Sequence, residues 1–280
     1  MNDYKIFKKI NEKIPVLGMG TWQIGGGMSP DYSRDKEWIM ALRKGIELGL
    51  TLIDTAEIYG AGHSEELVGE AIKGYPRDEL FIVSKVWPTH AHREDVFKAV
   101  QGSMKRLGTY IDLYLLHWPA ENVPICETMK AMEELVNKGF VRYIGLSNFD
   151  VKGIEEARSC LSKVDIAAVQ NKHSLVYRKY EKDVIPYCKR EGMMFMSYTP
   201  IAKGALANND FLIEIGKKYG KTGIQVALNW LICIDPVVPI PKAGRIDHLK
   251  ENAGAMGWRL NKEDWDKIDK KFKVYLDIEK

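Results

Sequence analysis

What this sequence lacks narrows its possibilities before any motif is read. No apolar run approaches the length needed to span a bilayer. Its start, MNDYKIFKKINEK, has no apolar core of the kind a signal peptide carries. The expectation from both absences is a cytoplasmic protein. Cysteine is sparse: Cys126, Cys160, Cys188 and Cys233 lie far apart with no CxxC among them. In a cytoplasmic chain they read as buried or free thiols rather than a disulfide framework. Charge of one sign is not in excess, since 41 Lys plus Arg face 38 Asp plus Glu, interspersed along the chain. That leaves no electrostatic case for nucleic acid or an anionic membrane as partner. Histidine is scarce too, and neither HAH at 90–92 nor His63, His173 and His248 has metal-ligand spacing, so no metal is expected.

What is present is an alternation. Runs rich in Val, Ile and Leu recur as VLGMG at 16–20, TLIDTA at 51–56, LFIVSKV at 80–86 and IDLYLLHW at 111–118. VRYIGLS at 141–147, IAAVQN at 166–171, MMFMSYT at 193–199 and PVVPIP at 236–241 follow. Near-continuous apolarity suits parallel strands covered on both faces. Amphipathic helical patterns lie between them. REDVFKAVQGSMKRLG puts Val96, Val100, Met104 and Leu107 on one stripe and stops at Gly108, and DVKGIEEARSCL has Asp150 as its N-cap. About eight β-then-α units without a linker predict an α/β fold, a single-domain (β/α)8 TIM barrel over residues 1–280. KIFKKINEKI is surplus to that plan and reads as an N-terminal hairpin closing the barrel bottom, and NKEDWDKIDKKF reads as an extra C-terminal helix. A doubly wound sheet would need a glycine fingerprint after the first strand, but GMGTWQ has Gln23 at the third glycine position.

In such a barrel chemistry gathers at the C-terminal strand ends. Taken in order, the second strand ends in Asp54 with Tyr59 just beyond, the third in Lys85 and the fourth in His117. The fifth ends in Ser147 and Asn148, the sixth in Gln170 and Asn171, the seventh in Tyr198 and the eighth in Lys242. Any one of these fits a cap or a satisfied core residue. A lysine closing an apolar strand requires a carboxylate or a ligand, however, and an Asp–Tyr–Lys–His set on adjacent ends rarely arises from packing. Such a set suits proton transfer to a carbonyl oxygen. Lys85 beside Tyr59 is expected to lower the phenol's pKa, Asp54 to keep the lysine charged, and His117 to orient the substrate. A hydride donor is then needed, and with no flavin signature a nicotinamide is the economical choice.

GMGTW, IDTAEIYG with SEELVGEAI, FIVSKVW, DLYLLHWP, VRYIGLSNF and VVPIPKA together resemble the aldo-keto reductase superfamily, from Gly18 to Trp258. The resemblance implies an NAD(P)-dependent oxidoreductase interconverting aldehydes or ketones and alcohols, with small-molecule substrates and a monomer, or a homodimer, as its state. It implies Asp54, Tyr59, Lys85 and His117 as the catalytic tetrad. It puts Ser147, Asn148 and Gln170 on the nicotinamide carboxamide and Tyr198 on its ring. Gly20, Thr21 and Trp22 fall at the cofactor, and Lys242, His248, Glu251 and Asn252 at its adenosine end. Trp22, Trp87 and Trp118 wall the substrate pocket beside Tyr59 and His117. Two positions depart from the family's 2′-phosphate pattern: Ala243 stands for a usual serine and His248 for a common arginine. Weak discrimination between NADP(H) and NAD(H) is the expectation. The short tail KVYLDIEK implies an open pocket mouth. Two other classes lose ground: Asp54 would hold Lys85 non-nucleophilic in a Schiff-base aldolase, and an intact tetrad argues against a cofactor-binding regulatory subunit with little turnover.

Overall fold

The computed structural model describes residues 3–242 and 244–276. A hairpin of β1 (Tyr4–Phe7) and β2 (Ile10–Pro15) comes first. Eight parallel strands follow among the described residues: β3 (Met19–Gly20), β4 (Leu52–Asp54), β5 (Phe81–Val86), β6 (Ile111–Leu116), β7 (Val141–Ser147), β8 (Ile166–Lys172), β9 (Met194–Tyr198) and β10 (Val237–Pro239). They pair strictly in chain order. The ends of the sheet meet through the Gly20–Lys242 bridge and through Gly18 N–H to Pro239 O at 2.9 Å, which closes the barrel. The closure needs Gly20 itself, because a Cβ there would sit 2.9 Å from Ile240 O.

Helices cover the outside: α1 (Asp35–Glu47), α2 (His63–Ile72), α3 (Arg93–Leu107), α4 (Ile125–Asn137), α5 (Val151–Ser159), α6 (Val184–Glu191), α7 (Asp210–Tyr219), α8 (Gly223–Ile232), α9 (Ile246–Ala253) and α10 (Lys262–Lys271). Gly108 takes the left-handed C-cap of α3 and Asp150 accepts from Gly153 N–H at the start of α5, as their residue types predict. The connection after the seventh barrel strand carries α7 ahead of α8, with Asn209 as its cap and Gly220 as its stop. Helix α2 starts at His63 without a side-chain cap, and the Ser64 hydroxyl instead bonds Thr21 and Thr55.

Alternation decides what each strand offers to the barrel interior, since successive side chains point to opposite faces. Leu52, Val83, Leu115, Ala168, Met196 and Ile240 pack in one inner cluster, which Phe7, Ile10 and Ile14 of the hairpin join. The hairpin is thus the barrel floor. Two residues beyond each inner residue come Asp54, Lys85, His117, Gln170, Tyr198 and Lys242, so the same pleat that fills the core aims these groups at the barrel mouth.

The cysteine expectation is overturned for one pair. Cys126 in the first turn of α4 and Cys160 just after α5 form a disulfide, Cα–Cα 5.0 Å, across 34 residues of sequence. Cys188 and Cys233 are free. Only helix packing brings the first two thiols together, which is why spacing gave no sign of them. Reduction, or Cys160→Ser, should lower the unfolding free energy by up to about 4 kcal/mol, the loop-closure entropy for a loop of that size. Denaturant curves with and without reductant measure it; coincident curves would show that the bond adds nothing.

Candidate active site

Lys85 is fully buried under the barrel mouth and its ammonium is completely engaged. It donates to Asp54 Oδ2 at 2.8 Å, Thr55 O at 2.8 Å and the Tyr59 hydroxyl at 3.3 Å. Gln170 Nε2 donates to the other Asp54 oxygen at 2.7 Å. The carboxylate is therefore held on both sides, which is what a buried charge requires. Tyr59 reaches this site through a tight turn, Tyr59–Gly62, in which Gly60 has φ +57° and a Cβ would lie 2.2 Å from Gly25 O. Edge-on contacts with Trp22 (5.0 Å between centroids) and His117 (5.7 Å) frame its ring.

Burial, and secondarily the charge of Asp54, push the Tyr59 phenol well above its ordinary pKa of 10. This reverses the expected lowering. Desolvation of the phenolate dominates, and the Asp54 carboxylate adds to it. Burial also pulls the Lys85 ammonium down, opposed by the Asp54 charge and hydrogen bond. His117 is driven well below its ordinary range by burial and then by the Lys85 charge, and it is a neutral imidazole at physiological pH. In the protein by itself, the site thus holds a protonated phenol and an uncharged histidine.

A cleft of about 650 Å³ runs from these groups across the barrel mouth. Asp54, Tyr59 and His117 line it, while Lys85 lies beneath. Trp22, Trp87 and Trp118 wall one end, and Glu57 fixes one of them by accepting from Trp87 N–H at 2.6 Å. Ser147, Asn148 and Gln170 come next. Asn148 has φ +67° and is held by Asn171, which accepts its backbone N–H at 2.7 Å, while its amide donates to Ser147 Oγ at 3.0 Å. Tyr198 donates its hydroxyl proton to Asn148 Oδ1 at 2.8 Å. Lys242, His248, Glu251 and Asn252 line the far end, and Gly20 lies between Asp54, its register partner, and Lys242. The Thr21 hydroxyl is buried, donating to Asp54 O at 3.0 Å and accepting from Ser64, so its side chain braces the strand. Ala243 lies outside the described residues.

Sequence reasoning passed over Gln23, Met28, Ile58 and the run Thr199–Ile201, Lys203, Gly204 and Ala207. The second group sits on a segment where Thr199, Ala202 and Lys203 all take positive φ, which no residue-type signal announces. Among the described residues, none after Asn252 lines the cleft.

The sequence model of the Aldo/keto reductase family matches residues 16–273. The chain belongs to this family. It is similar to methylglyoxal reductase YeaE of Escherichia coli (strain K12), at 38% identity over 92% of this chain and 91% of that protein. Glyoxal reductase of Bacillus subtilis (strain 168) is 35% identical over 92% of this chain and 88% of its own length. Among solved structures it resembles a thermostable aldo-keto reductase, Tm1743, in complex with the inhibitor epalrestat, at 46% identity and TM-score 0.91, with 95% of this chain and 98% of that chain covered. It also resembles an aldo/keto reductase of Klebsiella pneumoniae in complex with NADP and acetate, at 34% identity and TM-score 0.87, covering 100% and 98%. This aldo-keto reductase is an NAD(P)H-dependent oxidoreductase of carbonyls and alcohols. The cleft fits a nicotinamide nucleotide in its donor set: amide partners beside the tetrad, an aromatic face at Tyr198, and a lysine with buried Asn252 at the far end.

Proposed function

We propose that this chain reduces small, neutral aldehydes and ketones, with Tyr59 as the proton donor. The observation that carries this is the Asp54–Lys85–Tyr59 chain of hydrogen bonds ending at the cleft between His117 and three tryptophans. A bound nicotinamide supplies the hydride. The residues do the rest: Ser147, Asn148 and Gln170 hold the carboxamide, Tyr198 offers a ring face, and neutral His117 orients the carbonyl oxygen toward the Tyr59 hydroxyl. Tyr59 gives its proton as negative charge develops on that oxygen. Tyr59 titrates above 10 and His117 below 6.5, so kcat for reduction should stay level between about pH 7 and 9.

The substrate end is walled by Trp22, Met28, Ile58, Trp87, Trp118 and Ile201, with Lys203 as a nearby lining cation. The largely apolar wall favours small uncharged substrates, and the names of two similar enzymes, a methylglyoxal and a glyoxal reductase, agree with small dicarbonyls. A kinetic panel of aldehydes, ketones and sugars with both nicotinamides tests the reading. Small aldehydes should exceed steroid ketones in kcat/KM by more than about tenfold, since no described residue after Asn252 lines the cleft to grip a bulky ring system. Selectivity for one bulky substrate would contradict it. The reading also takes the protein to be monomeric and cytoplasmic, where reducing conditions act on the Cys126–Cys160 pair.

At the far end Lys242 is exposed, and Arg245 is paired with Asp247 at 2.7 Å. With His248 where the family commonly has arginine, a charge-assisted contact to a 2′-phosphate is missing, about 1.5–3 kcal/mol. The ratio of kcat/KM for NADPH over NADH should then be below about a hundred, and His248→Arg should raise it about tenfold. A natural preference of several hundredfold for NADPH would refute this.

A further inference from the structure

The connection from β3 to α1, residues 21–34, carries Trp22, Gln23 and Met28 to the cleft. It crosses directly over the Tyr59–Gly62 turn. Gly60 N–H donates to Gly27 O at 2.6 Å, and a Cβ on Gly60 would lie 2.2 Å from Gly25 O, so backbone lies on backbone with no side chain between. The near end of this segment is tied down by Ser64 donating to Thr21 Oγ1 at 2.9 Å. Its far end meets His63, which follows the Tyr59 turn and is 6% exposed. The Nε2 of His63 faces Asp35 Oδ1 at 2.9 Å, where α1 begins, and its Nδ1 faces Glu66 Oε2 at 2.8 Å. Tyr32 covers the ring at 4.2 Å between centroids, and Asp31 feels its charge.

Two carboxylates on the two nitrogens of one ring define its protonation state. A neutral imidazole has a single N–H and would turn a lone pair on one carboxylate; only the imidazolium donates to both. Burial works against that charge, but the bonds to Glu66 and Asp35 outweigh it and hold the histidine above its ordinary pKa of 6.5. We propose that protonated His63 is a positioning residue for carbonyl reduction: by bridging Asp35 and Glu66 it clamps the 21–34 segment, and Trp22 with it, against the turn that carries Tyr59. The proposal rests on Tyr59 being the acid. Because the folded-state pKa is raised, the clamp is fully present below about 6.5 and is lost as pH rises through the raised value. Its loss leaves the hydroxyl of Tyr59 and its ammonium partner in place, so it acts on substrate placement and hence on KM more than on kcat.

The test follows the His63 ring protons by NMR, assigned with His63→Gln, beside KM and kcat for a small aldehyde across the same pH range. KM should rise about three- to tenfold, the net scale of one ordinary hydrogen bond, at the pH where His63 titrates, with kcat level. In Asp35→Asn both the titration and the KM inflection should move together to lower pH. In His63→Gln, KM should be high and level at every pH. A KM inflection that stays put while the Asp35→Asn titration moves would overturn the proposal, as would a wild-type KM in His63→Gln. Hydrogen exchange at the Gly60 amide, corrected for intrinsic rate, reads the clamp without turnover. Protection should fall as His63 deprotonates, and unchanged protection overturns the clamp. A wild type that protects Gly60 in this way yet reduces no carbonyl would instead overturn the assignment of Tyr59.

Discussion

Tyr59→Phe should bind nicotinamide as the parent does and reduce aldehydes at least about a hundredfold more slowly, the usual scale for a general acid. The exchange removes one oxygen and little else. The ring contacts with Trp22 and His117 persist in a phenylalanine, and the hydroxyl accepts one protein hydrogen bond, from Lys85 at 3.3 Å. Lys85 retains Asp54 and Thr55 O, so no buried charge is stranded. The loss should therefore appear in single-turnover reduction and not in the unfolding curve. Burial makes His117 a poor substitute, because an imidazole that resists protonation has no spare proton of suitable acidity. Near-normal reduction by the variant would remove Tyr59 from the role.

Lys85→Met should fail in two ways at once. Turnover falls because a thioether cannot hydrogen-bond the phenol or offset charge on it. Stability falls because Asp54, only 3% exposed, loses its cation, and breaking a buried pair from one side costs about 3–5 kcal/mol. The two losses separate in a second variant. Adding Asp54→Asn removes the stranded charge, so it should recover most of the stability and none of the turnover. Recovery of turnover in the double variant would mean that the lysine serves only to neutralise the aspartate. Denaturant midpoints and reduction rates on the same three proteins decide it.

Much of this was readable from residue order. The eight apolar runs are the eight barrel strands, with ends displaced by a few residues, because near-continuous apolarity is what a strand buried on both faces demands. The groups two residues past the inner-facing Leu52, Val83 and Leu115 are Asp54, Lys85 and His117, so the pleat that fills the core also sets the chemistry. Helix α7 was missed because the sequence before it, IAKGALANND, looks like a loop and mostly is one, with Asn209 capping the helix at its very end. The inward turn of the Thr21 hydroxyl to Asp54 O and Ser64 has no signal in GMGTW.

The sequence by itself determined the period of the fold and the residue types at each strand end, because both follow from local alternation and the cost of burying a charge unpaired. It could not determine which groups share charge. The upward shift of Tyr59 depends on a depth of burial that only the closed barrel creates and on the Asp54 charge brought beside it. The Cys126–Cys160 bond and the grip of His63 on Asp35 join residues 34 and 28 positions apart on separate elements. Such contacts belong to the tertiary structure because they form only after helices have packed on the barrel, and no periodicity in the chain encodes the distance between two elements that meet side by side.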